Sequence, residues 1–226
     1  MIVVSCQFVS KCIYRRSEAK VTQGERINHK GLSFIKMHGL GNDYIYIDRF
    51  TESASFDPAV LAPLLTDRHR GIGGDGLILV EPSNKATARM RMFNADGSES
   101  EMCGNGVRCV GHIVVSRGYA AAGDLTIETG RGVLGMTVSP VSSKVSQVRV
   151  DMGQPLLHPD DIPVNSASMT DSIVDATASV LGDHSAWWDS SSLDSRMTCV
   201  SMGNPHVIFY CGDTEKVPLE MIGPLV

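Results

Sequence analysis

At 226 residues, 42% hydrophobic and 20% charged, the chain has the make-up of an ordinary water-soluble protein, long enough for one large domain or two small ones. No run approaches the ~18 apolar residues of a membrane span, and a net charge of −5 with no basic, aromatic-interleaved stripe excludes a nucleic-acid surface. The cysteines, at 6, 12, 103, 109, 199 and 211, show no CxxC spacing, so the expectation is no metal, no disulfide framework and a reducing cytoplasm.

The first 30 residues carry six Lys/Arg against two acids, +4 within a total of −5, which leaves −9 for the remainder. These basic residues follow the mildly apolar Met1–Cys12 instead of preceding it, the wrong order for a secretory signal. Residues 1–31 read as a poorly ordered N-terminal extension. Phe34–Met37 and Tyr44–Asp48 then read as strands around the turn-rich His38-Gly39-Leu40-Gly41-Asn42-Asp43. Asp57-Pro58 supplies an N-cap and a first-turn proline for a helix running to about Thr66. Leu77–Glu81 is a short apolar strand, and Ala88–Phe93 alternates as a half-buried one.

A helix is expected from Gly104 to about Arg117, with Val107, Val110, Ile113 and Val114 forming one core face. Leu125–Glu128, Val133–Val138 and Val145–Met152 follow as strands, and a domain boundary is expected near residues 140–146. Pro155–Asp161 reads as a connector, Asp171–Gly182 as a helix, and the Ser-rich 185–195 as a loop. Met197–Ser201 and His206–Tyr210 close the pattern as strands. No solenoid-type repeat is present, and the fold class is α+β.

Chemistry concentrates in residues 94–109, where Cys103 stands directly before Gly104-Asn105-Gly106 at the start of the expected helix. A thiol there meets free backbone N–H groups and the positive end of the dipole, worth roughly 0.3–1 kcal/mol toward the thiolate and up to about 2 in partly buried sites. The same N–H groups suit an anion such as a carboxylate. A free cysteine is more often a buried structural residue, and the glycines beside Cys103 tip the balance toward function. Cys109, roughly 240° further around the helix, reads as core. Gly39-Leu40-Gly41-Asn42-Asp43 and Gly71-Ile72-Gly73-Gly74-Asp75-Gly76 are weaker signals. Neither follows a strand and opens a helix as a dinucleotide fingerprint does; each brings the backbone close to something beside Asn42 or Asp75. Asn204, held extended before Pro205, either points its amide into a cleft or marks a tight connection.

Phe34-Ile35-Lys36-Met37-His38-Gly39-Leu40-Gly41-Asn42-Asp43-Tyr44, Arg70–Gly76, Phe93–Ser98 with Met102–Cys109, and Ser201–His206 follow one order over nearly everything from residue 33 to 226. Together they resemble the diaminopimelate epimerase family. The resemblance implies two pseudo-symmetric domains, each wrapping strands around a central helix, with the substrate in the cleft between them. It implies a cofactor-independent epimerase that interconverts LL- and meso-2,6-diaminopimelate on the lysine and peptidoglycan route. Two cysteines, one per domain, would work on opposite faces of the α-carbon, one removing a proton as thiolate and the other returning one as thiol.

By that resemblance Cys103 is the catalytic cysteine of the first domain, and Asn42, Asn94, Gly104, Asn105 and Asn204 bind substrate. Gly76 replaces a substrate-contacting glutamine of some members. The partner is a small molecule, with neither nucleic acid nor membrane, and a homodimer is one assembly the chain could form. The family's second cysteine lies in a later Cys-Gly-Thr/Ser-Gly motif, preceded by a Glu-Arg pair; neither occurs within residues 1–226, and Cys211-Gly212-Asp213 lacks the later glycine. The expected organisation is an extension over 1–31, a first domain over 32–143 and a partial second domain over 144–226. The competing readings are an inactive truncated homologue or binding remnant, and another isomerase of the same fold such as a proline racemase-like or phenazine-pathway enzyme. What the coding sequence does after Val226 separates the enzyme from the remnant.

Overall fold

In the computed structural model, which describes residues 6–7, 32–142, 145–162, 164, 171–178, 192–203 and 205–223, the strand-forming segments of the first part join one sheet around one helix. The chain falls into two compact units, Met1–Met152 and Gly153–Val226. Among the described residues no helix is long and apolar enough to cross a membrane.

The first unit contains strands β1 (Cys6–Gln7), β2 (Ile35–Gly39), β3 (Asn42–Asp48), β4 (Gly76–Glu81), β5 (Ala88–Asn94), β6 (Glu99–Ser100), β7 (Gly123–Thr129), β8 (Gly132–Ser142) and β9 (Val145–Val150), with helices α1 (Pro58–Thr66) and α2 (Gly104–Ser116). The spatial order is β1-β9-β8-β7-β5-β4-β3-β2, with β6 paired to β5. The β3–β4 and β5–β7 pairs are parallel and the others antiparallel. The two-residue strands β1 and β6 are too short to carry a sequence period. Across the stretch around residues 140–146, β8 pairs with β9 from Met136↔Val150 to Ser142↔Val145.

Both faces of the central strands are covered, which is why β3 and β4 read as nearly continuous apolar runs. Tyr44, Tyr46, Ile78 and Val80 face α2, whereas Ile45, Ile47, Leu77 and Leu79 pack with Ala62 and Leu65 of α1. Asp57 caps α1 by accepting from Ala59 N at 2.9 Å, with Pro58 behind it as the spacing predicts. The β2–β3 hairpin turns on Leu40 (φ 56°) and Gly41 (φ 90°). Positive φ at both central residues is what a two-residue hairpin of this hand demands, and it delivers Asn42 to the first position of β3.

Helix α2 departs from the expected single core face. Every residue from Gly106 to Val114 is buried, because β2, β3, β5, β7, β8 and β9 all pack against it. Its polar members find partners inside this wrap. Arg108 donates from Nε to Gly104 O at 3.1 Å, and His112 Nδ1 lies 2.8 Å from Ser146 Oγ of β9. Gly111 permits the close approach, since a Cβ there would stand 2.6 Å from Met136 Sδ and 3.1 Å from Val138 Cγ2.

The second unit holds β10 (Ala176–Thr177), β11 (Arg196–Ser201) and β12 (Pro205–Phe209) as a three-stranded antiparallel sheet. The helix expected over Asp171–Gly182 is not found in its described part, residues 171–178, and residues 179–182 lie outside the described set. Tertiary pairing overrides the local pattern. Ala176 pairs with Met197, Cys199 N donates to Ile173 O at 2.8 Å, and Ile173 packs with Ile162 and Cys199. Of the Ser-rich stretch, residues 185–191 lie outside the described set and 192–195 form neither helix nor strand. The connector expected over Pro155–Asp161 contains a single 3-10 turn at Pro159–Asp161.

Burial pushes the His112 imidazole below its ordinary value of 6.5. The unfolded chain therefore takes up a proton before the folded one does, so stability falls as pH drops below about 6.5 and levels off once the folded state also titrates. His112→Asn keeps a partner for Ser146 without the titration. Urea midpoints from pH 7.5 to 5.5 are expected to decline for the parent and to stay flatter for this variant.

Candidate active site

Cys103 sits at the N-cap of α2 in extended conformation (φ −135°, ψ 117°), the location its place before Gly104-Asn105-Gly106 predicts. Three groups meet its sulfur. Gly106 N donates to Sγ at 3.4 Å, and Tyr44 Oη donates to it at 3.3 Å. The thiol itself donates to Asn42 Oδ1 at 3.5 Å. Asn105 Nδ2 reaches the same Asn42 oxygen at 3.4 Å, and Arg108 holds Asn105 through its Oδ1. The structure thus brings Cys103, Asn42, Gly104 and Asn105 together at one helix end.

The two glycines of this motif do different work. A Cβ on Gly106 would stand 2.6 Å from Ile78 Cδ1, so packing of α2 on β4 requires glycine there. Gly104 is not crowded in that way; the nearest atom to its missing Cβ is Met152 Cε at 3.6 Å. Only the second glycine of the pair is therefore a packing glycine, and the first leaves the helix terminus open to a ligand.

Asn42 is held by a charge network that sequence spacing left unresolved. Its Nδ2 donates to Asp75 Oδ2 at 2.6 Å, which turns Oδ1 toward the sulfur. The same Asp75 oxygen accepts from Asp43 N at 2.9 Å. Arg68 Nη2 bridges Asp43 Oδ1 at 2.7 Å and Asp75 Oδ1 at 2.8 Å, and Lys36 pairs with Asp43 Oδ2 at 2.7 Å. Burial alone would raise the Asp43 carboxyl; hydrogen bonds and charge from Arg68 and Lys36 outweigh it and hold the group at about 2. The 71–76 loop makes this possible by its glycines. Gly73 turns at φ 80°, and a Cβ on Gly71 would meet Leu64 O at 2.4 Å.

Asn94 stands in one row with Tyr44 and Gly76 across β3, β4 and β5. Its side chain engages its own turn, Nδ2 donating to Ser98 Oγ at 3.0 Å, and has no contact with Cys103 among the described hydrogen bonds. Gly76, where a glutamine could stand, has no room for any side chain: its Cβ would lie 2.5 Å from Phe93 O and 2.9 Å from Tyr44 Cε1. Asn204 lies outside the described residues. The sequence reading missed Tyr44, Arg68 and Lys36; the signal for Tyr44 was period two, because Asn42, Tyr44 and Tyr46 share one face of β3.

The other thiols differ in kind. Burial pushes Cys109 up to about 12, and it lies in the core between α2 and the sheet. Cys199 is likewise raised by burial, in the second unit's core. Among the described residues no group of three or more His, Cys, Asp and Glu is placed to hold a metal ion.

The family model described as diaminopimelate epimerase matches residues 34–157. The chain is 46% identical over 198 residues to a diaminopimelate epimerase of Agathobacter rectalis, covering 86% of this chain and 66% of that one. It is 45% identical over 193 residues to that of Acetivibrio thermocellus (85% and 64%), and 43% identical over 194 residues to that of Methanococcus maripaludis (86% and 65%). The chain thus spans just under two thirds of the length of these relatives. Among solved structures, a phenazine biosynthesis protein of the PhzF family from Bacillus anthracis superposes with a TM-score of 0.53 at 16% identity, covering 96% of this chain and 58% of that one. A predicted epimerase from Pseudomonas aeruginosa gives 0.54 at 12% identity, covering 78% and 55%. These structural likenesses identify the α+β fold, and the sequence comparisons identify the family: the chain belongs to the diaminopimelate epimerases.

Proposed function

We propose that the Cys103 site is the first half-site of a cofactor-independent epimerase interconverting LL- and meso-2,6-diaminopimelate, on the route to lysine and peptidoglycan. The observation that carries this reading is the sulfur at the N-terminus of α2, between the donors Tyr44 and Gly106 N and the acceptor Asn42 Oδ1. A group that removes and later holds a proton needs partners for both of its forms, and this sulfur has them. As thiolate it takes the α-proton: the carbon–hydrogen bond breaks, an S–H bond forms, and the electron pair stays on the α-carbon. The negative charge developing there, next to the substrate carboxylate, is favoured by the N–H groups at the helix terminus. Asn42, Asn94, Gly104, Asn105 and Asn204 are the proposed substrate-binding residues. Asp75 is a positioning residue that fixes which end of the Asn42 amide faces the sulfur. A reducing cytoplasm, where the thiol stays free, is the proposed location.

Diaminopimelate is expected to slow iodoacetamide labelling of Cys103, read by mass mapping, whereas L-proline leaves the rate unchanged; equal protection by proline would favour another isomerase of this fold. Asp75→Ala releases the Asn42 amide, and is expected to raise the diaminopimelate concentration for half-protection about tenfold, the worth of one hydrogen bond near a charged centre. Because epimerisation needs an acid on the opposite face, the 226-residue polypeptide by itself is expected to convert little or no LL-diaminopimelate in deuterated water. Steady formation of the meso isomer with α-deuterium uptake would contradict that.

A further inference from the structure

We propose that Tyr44 is a further catalytic residue of this site, whose hydroxyl donates to Cys103 Sγ and holds the sulfur in its proton-accepting form. The assignment deepens the epimerase reading above and rests on it for the identity of the reaction, but not for the chemistry of the thiol. Oη lies 3.3 Å from Sγ, and the residue is 4% exposed. Its ring packs edge-on against Tyr46, with centroids 6.4 Å apart and planes at 70°.

The position of the ring is built into the sheet. Gly76 stands directly opposite Tyr44 in β4, and a Cβ at Gly76 would lie 2.9 Å from Cε1 and 3.2 Å from Cδ1 of the tyrosine. The phenol therefore occupies space that any side chain at position 76 would claim, and the glycine is the complement of the tyrosine. Burial first, and the neighbouring Cys103 second, push the phenol's own ionisation up, so it remains a donor over the range in which a thiol titrates.

The sulfur's third contact shows why such a donor is needed. Asn42 Oδ1 accepts from the neutral thiol, and Asp75 prevents the amide from turning its nitrogen inward. Once the thiol proton is gone, Oδ1 becomes an unfavourable neighbour, and Tyr44 Oη with Gly106 N supplies the opposing interactions. Tyr44 keeps its own proton throughout; the transferred proton passes only between substrate carbon and sulfur.

The test uses the intact chain without substrate. In Tyr44→Phe, the pH midpoint of Cys103 alkylation by iodoacetamide is expected to rise by about one unit, which makes labelling at pH 7 about tenfold slower. The rate at Cys199 stays unchanged. A folded variant with an unmoved midpoint overturns the proposal. Should Tyr44→Phe fail to fold, the protein labelled throughout with 3-fluorotyrosine, a stronger donor of nearly equal size, is expected to show the opposite displacement, and an unmoved Cys103 midpoint there overturns it equally. Failure of diaminopimelate to protect Cys103 would contradict the substrate assignment while leaving this midpoint shift intact.

Discussion

The complete burial of α2 is the constraint on which the rest of the first unit depends. A helix with one apolar stripe is held from one side only, whereas α2, buried continuously from Gly106 to Val114, is held all round. Each fully buried Val or Ile contributes about 1.5–3 kcal/mol. Arg108 and His112 add a directional requirement, because either would cost about 1–3 kcal/mol if its buried polar atoms lost their partners. The contacts Arg108 Nε to Gly104 O and His112 Nδ1 to Ser146 Oγ therefore fix the azimuth of the helix as well as its depth. With azimuth and depth fixed, so is the place of Cys103 at its first turn.

The site is then assembled from the sheet side. The β2–β3 turn places Asn42 and, two residues on, Tyr44 on the face that meets the helix terminus. Gly76 in β4 leaves room for the tyrosine ring, and the loop preceding β4 returns Asp75 to the Asn42 amide. Lys36, Asp43 and Arg68 pin that loop at the surface. The pair made by the exposed Arg68 contributes little to stability individually. The effect of these contacts is geometric: they settle which way one amide faces.

Much of this architecture was legible in the chain. Apolar or alternating runs between turn signals gave β2 to β5 and β7 to β9, Asp57-Pro58 gave the start of α1, and Cys103 before Gly104-Asn105-Gly106 gave the start of α2. The parts that were not legible have physical reasons. A one-sided stripe was read into α2 because Arg108 and His112 look like surface residues until their buried partners are known. The helix expected over Asp171–Gly182 lost, in its described part, to pairing between Ala176 and Met197, a contact 21 residues apart. Gly106 looked like a ligand glycine but answers to Ile78. Tyr44 reads as an ordinary strand aromatic; period two puts it on one face of β3 with Asn42 but does not mark it as a site residue. Its role emerges only when Gly76, from the neighbouring strand, and Cys103, from the helix, are placed beside it.

The central claim, that this fold singles out one thiol at the N-terminus of α2, is tested most directly by competitive sub-stoichiometric alkylation of the intact chain at pH 7 with mass mapping of the labelled residues. Among the described thiols Cys103 is expected to be labelled first, ahead of the buried Cys109 and Cys199 and of the half-buried Cys211. Preferential labelling of any of those three would contradict the account.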